Sequence, residues 1–278
     1  MSARHPLGRR LPRAAALATA LLLGAGGCNA EPRDLRYAEV DGHRLAYQVL
    51  GHGRPTLVLI SGLGDGRASF KAVAPELART ATVILYDRAG YGDSAPAAGP
   101  RDAAAADREL MGLLKASGAP GPYVIAGHSL GGLYAEYFAA HHPDLTAGLV
   151  LEESRPADFT RRCEAAKIAM CAPPPALARL MPRPAQAEIA ALDDTAAEVA
   201  AVTPRTTLPV LVLSRPPGAK PFETLWAQAQ DDLAARYGAQ HVTAPAGGHY
   251  LHKDQRDWFV AQVTEFLATV IRTAPPSE

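Results

Sequence analysis

Short runs of consecutive apolar residues alternate along this chain with longer segments whose apolar positions recur at helical spacing. A continuous apolar run of about four to eight residues is typical of a strand that is buried on both faces of a sheet. The clearest runs and one weaker, last run are found at residues 56–61, 81–87, 123–129, 147–154, 208–214 and 240–245. Helical segments separate these runs. Strands that alternate with helices predict crossover connections and a parallel sheet.

Two further strands are predicted ahead of the parallel ones. Residues 35–40 and 43–50 flank Asp41-Gly42, a dipeptide that is typical of a tight hairpin turn. The whole pattern predicts an α/β fold: a mostly parallel sheet of eight strands with helices on both faces.

One region breaks the alternation. Residues 155–207 contain no strand-like run and are divided into short helical pieces by prolines. A stretch of this length without structure of its own is unusual inside a domain. We therefore predict a helical cap at 155–207, inserted into a core formed by residues 35–154 and 208–273.

The composition fits a packed globular protein. Of 278 residues, 48% are hydrophobic and 20% are charged, and 28 basic side chains balance 28 acidic ones. Nothing in this balance suggests a basic surface for nucleic acid. No paired Cys-x-x-Cys spacing indicates a metal site, and we expect neither a metal nor a cofactor.

The N-terminal segment has the pattern of an export signal. Residues 1–13 are basic, residues 14–26 are apolar, and small residues lead to Cys28. An apolar stretch of this length suits a signal peptide and is too short to span a membrane. Residues 1–28 resemble a bacterial lipoprotein signal, which implies a lipid-modified Cys28 in the periplasm or cell envelope. Plain secretion with cleavage near Ala30 is the first alternative, and an uncleaved anchor or a cytoplasmic chain is the second.

Export changes the interpretation of the remaining cysteines. If Cys28 carries lipid, Cys163 and Cys171 are an even pair, and an oxidising compartment allows a disulfide between them. Such a bridge would stabilise the fold by about 2–3 kcal/mol in the chain-entropy model. Two separate thiols are the alternative.

One serine stands between glycines where an apolar run ends and a helical segment begins. Residues 127–131 read Gly-His-Ser-Leu-Gly, the G-x-S-x-G pattern of a nucleophile elbow. A serine on such a turn stands at the carboxyl end of the sheet, where open α/β sheets bind ligands. The N-terminus of the next helix favours negative charge at the same place. The pattern predicts Ser129 as a nucleophile.

A serine hydroxyl needs a base, and the base needs an acid that fixes its tautomer. His249 follows two glycines after the last predicted strand, whereas its competitor His252 lies nearer the next helix, so we predict His249 as the base. Glu152 and Glu153 end the fourth parallel run and face opposite ways. We predict Glu153, nearer the sheet edge, as the acid, with Glu152 and Glu223 as alternatives.

Backbone groups are predicted to complete the site. Residues 59–66 form a glycine-rich loop opposite the elbow. We predict the N–H groups of Leu63 and Leu130 as donors to an oxyanion.

Other charged residues close to the elbow in sequence are expected to play no part in the chemistry. We expect packing or surface positions for three histidines, His128, His141 and His142. Three arginines could select an acidic substrate, but we favour solvated surface positions for them: Arg155, Arg161 and Arg162.

The elbow, the late histidine and the glycine-rich loop occur in the order typical of the α/β-hydrolase superfamily. The chain is similar to its small bacterial serine hydrolases of the esterase and lipase type, because residues 86–94, YDRAGYGDS, resemble their YDRxGxGxS sequence. It departs from many members by having Ser61 where they have histidine, and by having its acid after the sixth strand. The resemblance implies structural roles for Asp87 and Arg88.

The resemblance also implies the reaction. A small or medium carboxylic ester would acylate Ser129, and water would release the acyl group, with no cofactor or metal. Lactones, thioesters and perhydrolysis are alternative chemistries on the same residues. A non-catalytic ligand-binding or sensor protein is the alternative from another class, and the intact set of serine, histidine and acid speaks against it.

Overall fold

The computed structural model describes Met1 and residues 34–168, 171, 173–205 and 207–273. The predicted export signal and Cys28 lie outside the described residues. None of the described helices combines the length and the apolar character that crossing a membrane requires.

Eight strands form one sheet. They are β1 (Leu35–Val40), β2 (His43–Leu50), β3 (Thr56–Ile60), β4 (Thr82–Tyr86), β5 (Tyr123–His128), β6 (Thr146–Glu152), β7 (Val210–Ser214) and β8 (Gln240–Thr243). Their order across the sheet is β1-β2-β4-β3-β5-β6-β7-β8. Strand β2 is antiparallel to β1 and β4, and the other pairs are parallel. The predicted mostly parallel sheet is confirmed.

The central strands are apolar on both faces because helices cover both. Every residue of β3, β4, β5 and β7 is buried. The helices are α1 (Ala74–Leu77), α2 (Ala103–Ser117), α3 (Leu130–His141), α4 (Phe159–Ala165), α5 (Pro175–Ala178), α6 (Arg183–Ala190), α7 (Leu192–Ala201), α8 (Pro221–Tyr237), α9 (Leu251–Asp254) and α10 (Arg256–Thr273). One core lies under α2, α3 and α8, and a second core lies under α1 and α10.

The segment between β3 and β4 contains little regular helix. It forms a 3-10 turn at Arg67–Phe70 and only the four-residue helix α1. Pro75 stands in the first turn of α1. Proline has no backbone N–H and is tolerated there, whereas it would disrupt the interior of a longer helix.

Helices α4 to α7 lie between β6 and β7, in the region predicted as a cap. A disulfide joins Cys163 at the end of α4 to Cys171. Phe159 and Cys163 are buried in a small apolar cluster with Trp226 of α8. This part of the insertion is therefore fixed to the core by packing as well as by chain connection.

Candidate active site

The backbone at Ser129 is strained. The residue lies between β5 and α3 with φ 53° and ψ −116°, in the positive-φ region that residues other than glycine rarely adopt. Its N–H donates to the carbonyl of Glu152 at 3.1 Å. A Cβ at Gly131 would collide with the carbonyl oxygens of Ile60 and Ser61, so only glycine lets α3 begin this close to β3.

His249 and Glu153 form the pair predicted as base and acid. The Nδ1 of His249 lies 3.1 Å from Oε2 of Glu153. Glu153 is fully buried, and it also accepts hydrogen bonds from Trp226 Nε1 at 2.9 Å and from the backbone N–H of Arg215 at 2.8 Å. These donors hold the carboxylate in one orientation, in which it fixes the proton of His249 on Nδ1 and leaves Nε2 to act as an acceptor.

The predicted nucleophile and base face one cavity. Its volume is about 300 Å³, and its lining residues are Ser129, Arg155, Arg215, Phe222, Trp226 and His249. No hydrogen bond joins the side chains of Ser129 and His249 in the described structure. Such contacts are often long before a substrate is bound.

Leu63 and Leu130, the predicted oxyanion donors, line a second and smaller cavity beside the same serine. Its volume is about 80 Å³, and its walls are mostly apolar. Ser129 and Arg155 line both cavities. The serine therefore stands between a small, mostly apolar compartment and a larger one that contains Arg215 as well as Arg155.

Arg88 holds the glycine-rich loop in place. Its guanidinium donates to the carbonyls of Ser61 at 2.6 Å and Gly62 at 2.9 Å. Glu188 of α6 pairs with Arg88 at 2.7 Å and accepts from Tyr91 Oη, also at 2.7 Å. Burial acts to lower the pKa of Arg88, but Glu188 outweighs it and keeps the pKa above its ordinary value. The expected structural role of Arg88 thus includes a link between the loop and the insertion.

A family model described as alpha/beta hydrolase fold matches residues 55–202, more than half of the chain. The chain belongs to the α/β-hydrolase fold family. A pimeloyl-(acyl-carrier protein) methyl ester esterase of Chromobacterium violaceum is 38% identical over 112 residues, covering 40% of this chain and 41% of that protein. The chain spans about a third to a half of the length of the curated relatives that it matches.

Solved structures agree on this fold. An esterase of Thermogutta terrifontis has a TM-score of 0.63 at 23% identity, covering 85% of this chain and 98% of that chain. An enol-lactonase of Burkholderia xenovorans has a TM-score of 0.61 at 24% identity, covering 84% and 100%. At this level of identity the likeness concerns the fold alone.

A second Ser-His-Glu relay lies beneath the candidate site, and sequence reasoning missed it. Glu152 accepts from the backbone N–H and from Nδ1 of His252, both at 2.8 Å, and His252 Nε2 lies 3.0 Å from Ser69 Oγ. Burial acts to raise the pKa of Glu152, but His252 and His128 outweigh it and lower the pKa. The relay is buried, so its effect is to fasten the loop that carries His249 to the end of β6.

His128 supports the same loop. Its Nε2 lies 2.7 Å from the carbonyl oxygen of His249, and a carbonyl only accepts, so Nε2 carries the proton. Burial lowers the pKa of His128 to about 3, so the ring is neutral at neutral pH. Ligand atoms of His128, Glu152 and His252 lie within 4.8 Å of one another. Because Nδ1 and Nε2 of His252 are both hydrogen-bonded, to Glu152 and to Ser69, the cluster is better described as a hydrogen-bonded anchor than as a metal site.

The prediction of solvated arginines is wrong for Arg155. Its side chain is half-buried at the serine, and its guanidinium donates to the carbonyl of Cys171 at 3.0 Å and to Thr160 Oγ1 at 2.9 Å. Arg161 is exposed, and Arg162 pairs with aspartates nearer the surface. No local pattern marks Arg155, because its burial depends on how the insertion folds over the sheet.

Proposed function

We propose that the protein is a serine hydrolase that cleaves a small or medium carboxylic ester through Ser129, His249 and Glu153. The observation that supports the proposal most is the buried Glu153 carboxylate bonded to His249, which shares a cavity with a serine on a strained elbow. A strained serine beside an oriented imidazole is the arrangement that nucleophilic acyl transfer requires.

In the proposed reaction, His249 Nε2 takes the proton of Ser129 as Oγ attacks the acyl carbon. The carbonyl oxygen gains negative charge and accepts hydrogen bonds from the N–H groups of Leu63 and Leu130. His249 gives the proton to the leaving alcohol oxygen, which departs as the carbon–oxygen bond breaks. Water then attacks the acyl carbon, again with His249 as base. The bond from that carbon to Ser129 Oγ breaks, His249 returns the proton to Oγ, and the carboxylic acid is released. Glu153 stabilises the imidazolium in both halves.

Hydrolysis of p-nitrophenyl acetate and butyrate tests this proposal. We expect Ser129→Ala to lower kcat by about 10⁴-fold or more, because the nucleophile is lost while substrate binding remains. Ser117→Ala is the control, since Ser117 ends α2 and only bonds backbone groups there. Undiminished turnover in Ser129→Ala would contradict the proposal.

We propose further that the protein is exported to the cell envelope and anchored by lipid on Cys28, with membrane contact through that lipid only. The Cys163–Cys171 disulfide supports export, because disulfides persist mainly in oxidising compartments. Metabolic labelling with palmitate should mark the wild-type chain but not Cys28→Ser. Labelling of both would contradict attachment at Cys28.

A further inference from the structure

Arg155 lies closer to the proposed nucleophile than any sequence pattern indicated. Its backbone N–H donates to the carbonyl of Ser129 at 3.1 Å, and its side chain lines both cavities that meet at that serine. A group that binds in either cavity therefore comes next to this guanidinium.

Most of the hydrogen-bonding capacity of Arg155 is unused. A guanidinium has five N–H donors. In the described structure, one reaches the carbonyl of Cys171 and one reaches Thr160 Oγ1. Both acceptors are neutral, so they position the side chain without balancing its charge. The planar group also lies over the ring of Phe159, 5.3 Å from its centroid.

Other buried arginines of this protein have their charge balanced by a carboxylate. Arg88 pairs with Glu188, and Arg101 makes two bonds of 2.6 Å to Glu109. Among the described residues, no carboxylate lies within ion-pair distance of Arg155. Burial accordingly lowers the pKa of Arg155, and only Asp193, beyond ion-pair distance, acts against that shift.

The surroundings of Arg155 add no free negative charge. Arg215 lines the larger cavity with it, and its Nε lies 3.5 Å from Glu153 Oε2. The carboxylate of Glu153 is already hydrogen-bonded to His249, Trp226 and the backbone N–H of Arg215. Glu188 lines the smaller cavity, but its carboxylate is engaged by Arg88 and Tyr91.

We propose that Arg155 binds a carboxylate group of the substrate, so that this hydrolase acts on esters that carry a negative charge. Arginine and carboxylate match in charge and in planar geometry, and such pairs form strong hydrogen bonds. The larger cavity takes the charged part, because it contains both arginines. The smaller apolar cavity takes a short uncharged part. This inference rests on the proposed function, because it names the substrate class of the same site.

Matched ester pairs test the inference. Monomethyl glutarate is compared with dimethyl glutarate, and 4-acetoxybutanoate with 4-acetoxybutanamide, so that the carboxylate lies in the acyl part of one pair and in the alcohol part of the other. We expect wild-type kcat/KM to favour the carboxylate in at least one pair by about 10- to 100-fold, the range for a charged hydrogen bond. Equal kcat/KM values within both pairs would overturn the inference.

Variants assign the preference to one side chain. Arg155→Met should abolish the preference, and Arg155→Lys should retain part of it, because lysine keeps the charge but not the planar fork. Arg161→Met is the matched control, since that exposed arginine lies in the same insertion but lines neither cavity at Ser129. A preference that survives in Arg155→Met would overturn the assignment.

A binding measurement separates the inference from the proposed function. Glutarate should raise the melting temperature of the wild-type protein and not that of Arg155→Met, provided that circular dichroism shows both to be folded. Loss of this shift in the variant supports the anion site even if no ester is cleaved, in which case only the proposed function fails. Turnover of neutral esters without any shift from glutarate would overturn the inference alone.

Discussion

Two adjacent glutamates at the end of β6 provide a test, because replacing one should mainly lower kcat and replacing the other should mainly lower the free energy of unfolding. Glu153 bonds His249 at the proposed site, whereas Glu152 bonds His252 in the buried relay. Replacement of either by glutamine keeps the size and removes the charge. The two variants therefore differ chiefly in which histidine loses its carboxylate.

Glu153→Gln should mainly lower the rate. Its carboxylate accepts hydrogen bonds from Nδ1 of His249, from the indole N–H of Trp226 and from the backbone N–H of Arg215. A glutamine amide has a single acceptor oxygen, so its NH₂ must face one of these donors. An equivalent amide substitution in a Ser-His-Asp triad lowers kcat about 10⁴-fold. We expect a comparable loss here, about 5 kcal/mol of transition-state stabilisation.

Glu152→Gln should mainly lower stability. Glu152 is buried and accepts two hydrogen bonds from His252 at 2.8 Å. Loss of the charged partner of a buried donor costs about 2–3 kcal/mol. Because His252 is three residues beyond His249, the loop loosens, but the Glu153–His249 bond remains. We expect a decrease in kcat of less than about tenfold.

The assay compares kcat for p-nitrophenyl acetate with the free energy of unfolding in urea, on the same preparations at pH 8. Folding is verified by circular dichroism before rates are compared. If Glu152→Gln lowered kcat as much as Glu153→Gln does, the assignment of the acid would be wrong.

Three further predictions concern stability in urea. Burial raises the pKa of Glu136 to about 7, so the contribution of its protonated form to the free energy of unfolding is full below the ordinary pKa of 4.5 and is lost as the pH rises through 7. Glu136→Gln should therefore raise the free energy of unfolding by about 2–3 kcal/mol at pH 8. No gain in this variant would refute the prediction. His128, with a pKa lowered by burial to about 3, must stay neutral, so stability should fall from pH 6.5 toward 3 by up to about 1.4 kcal/mol per pH unit. His128→Gln should make stability depend less steeply on pH in this range. An unchanged slope would argue that His128 does not cause the pH dependence. Replacing Cys163 and Cys171 by serine should cost about 2–3 kcal/mol, and equal stability would contradict a structural disulfide.

The parts of the site that follow local rules could be predicted from the sequence. The glycines around Ser129 and the apolar run before it indicate a strand-to-helix turn whatever the rest of the chain does. His249 follows from its place after the last strand. Strand alternation predicts that only one of Glu152 and Glu153 faces the site. The structure places Glu153, just past the end of β6 with φ 44°, against His249 and Glu152 against His252.

The contacts that could not be predicted join residues far apart in the chain. Arg88 and Glu188 are separated by 100 residues, and His252 and Ser69 by 183. Nothing near either residue signals its partner. The sequence alone predicts a surface position for Arg155, because composition does not reveal which arginine the insertion will cover.

Reaction of the purified protein with a fluorophosphonate probe tests the central claim most directly, because the probe forms a covalent bond only with an activated serine. Peptide mass spectrometry then locates the adduct. We predict a single adduct on Ser129 that is lost in His249→Ala, whose fold is verified by circular dichroism. No adduct on the folded wild-type protein, or an adduct that forms equally fast without His249, would contradict a nucleophile activated by that histidine.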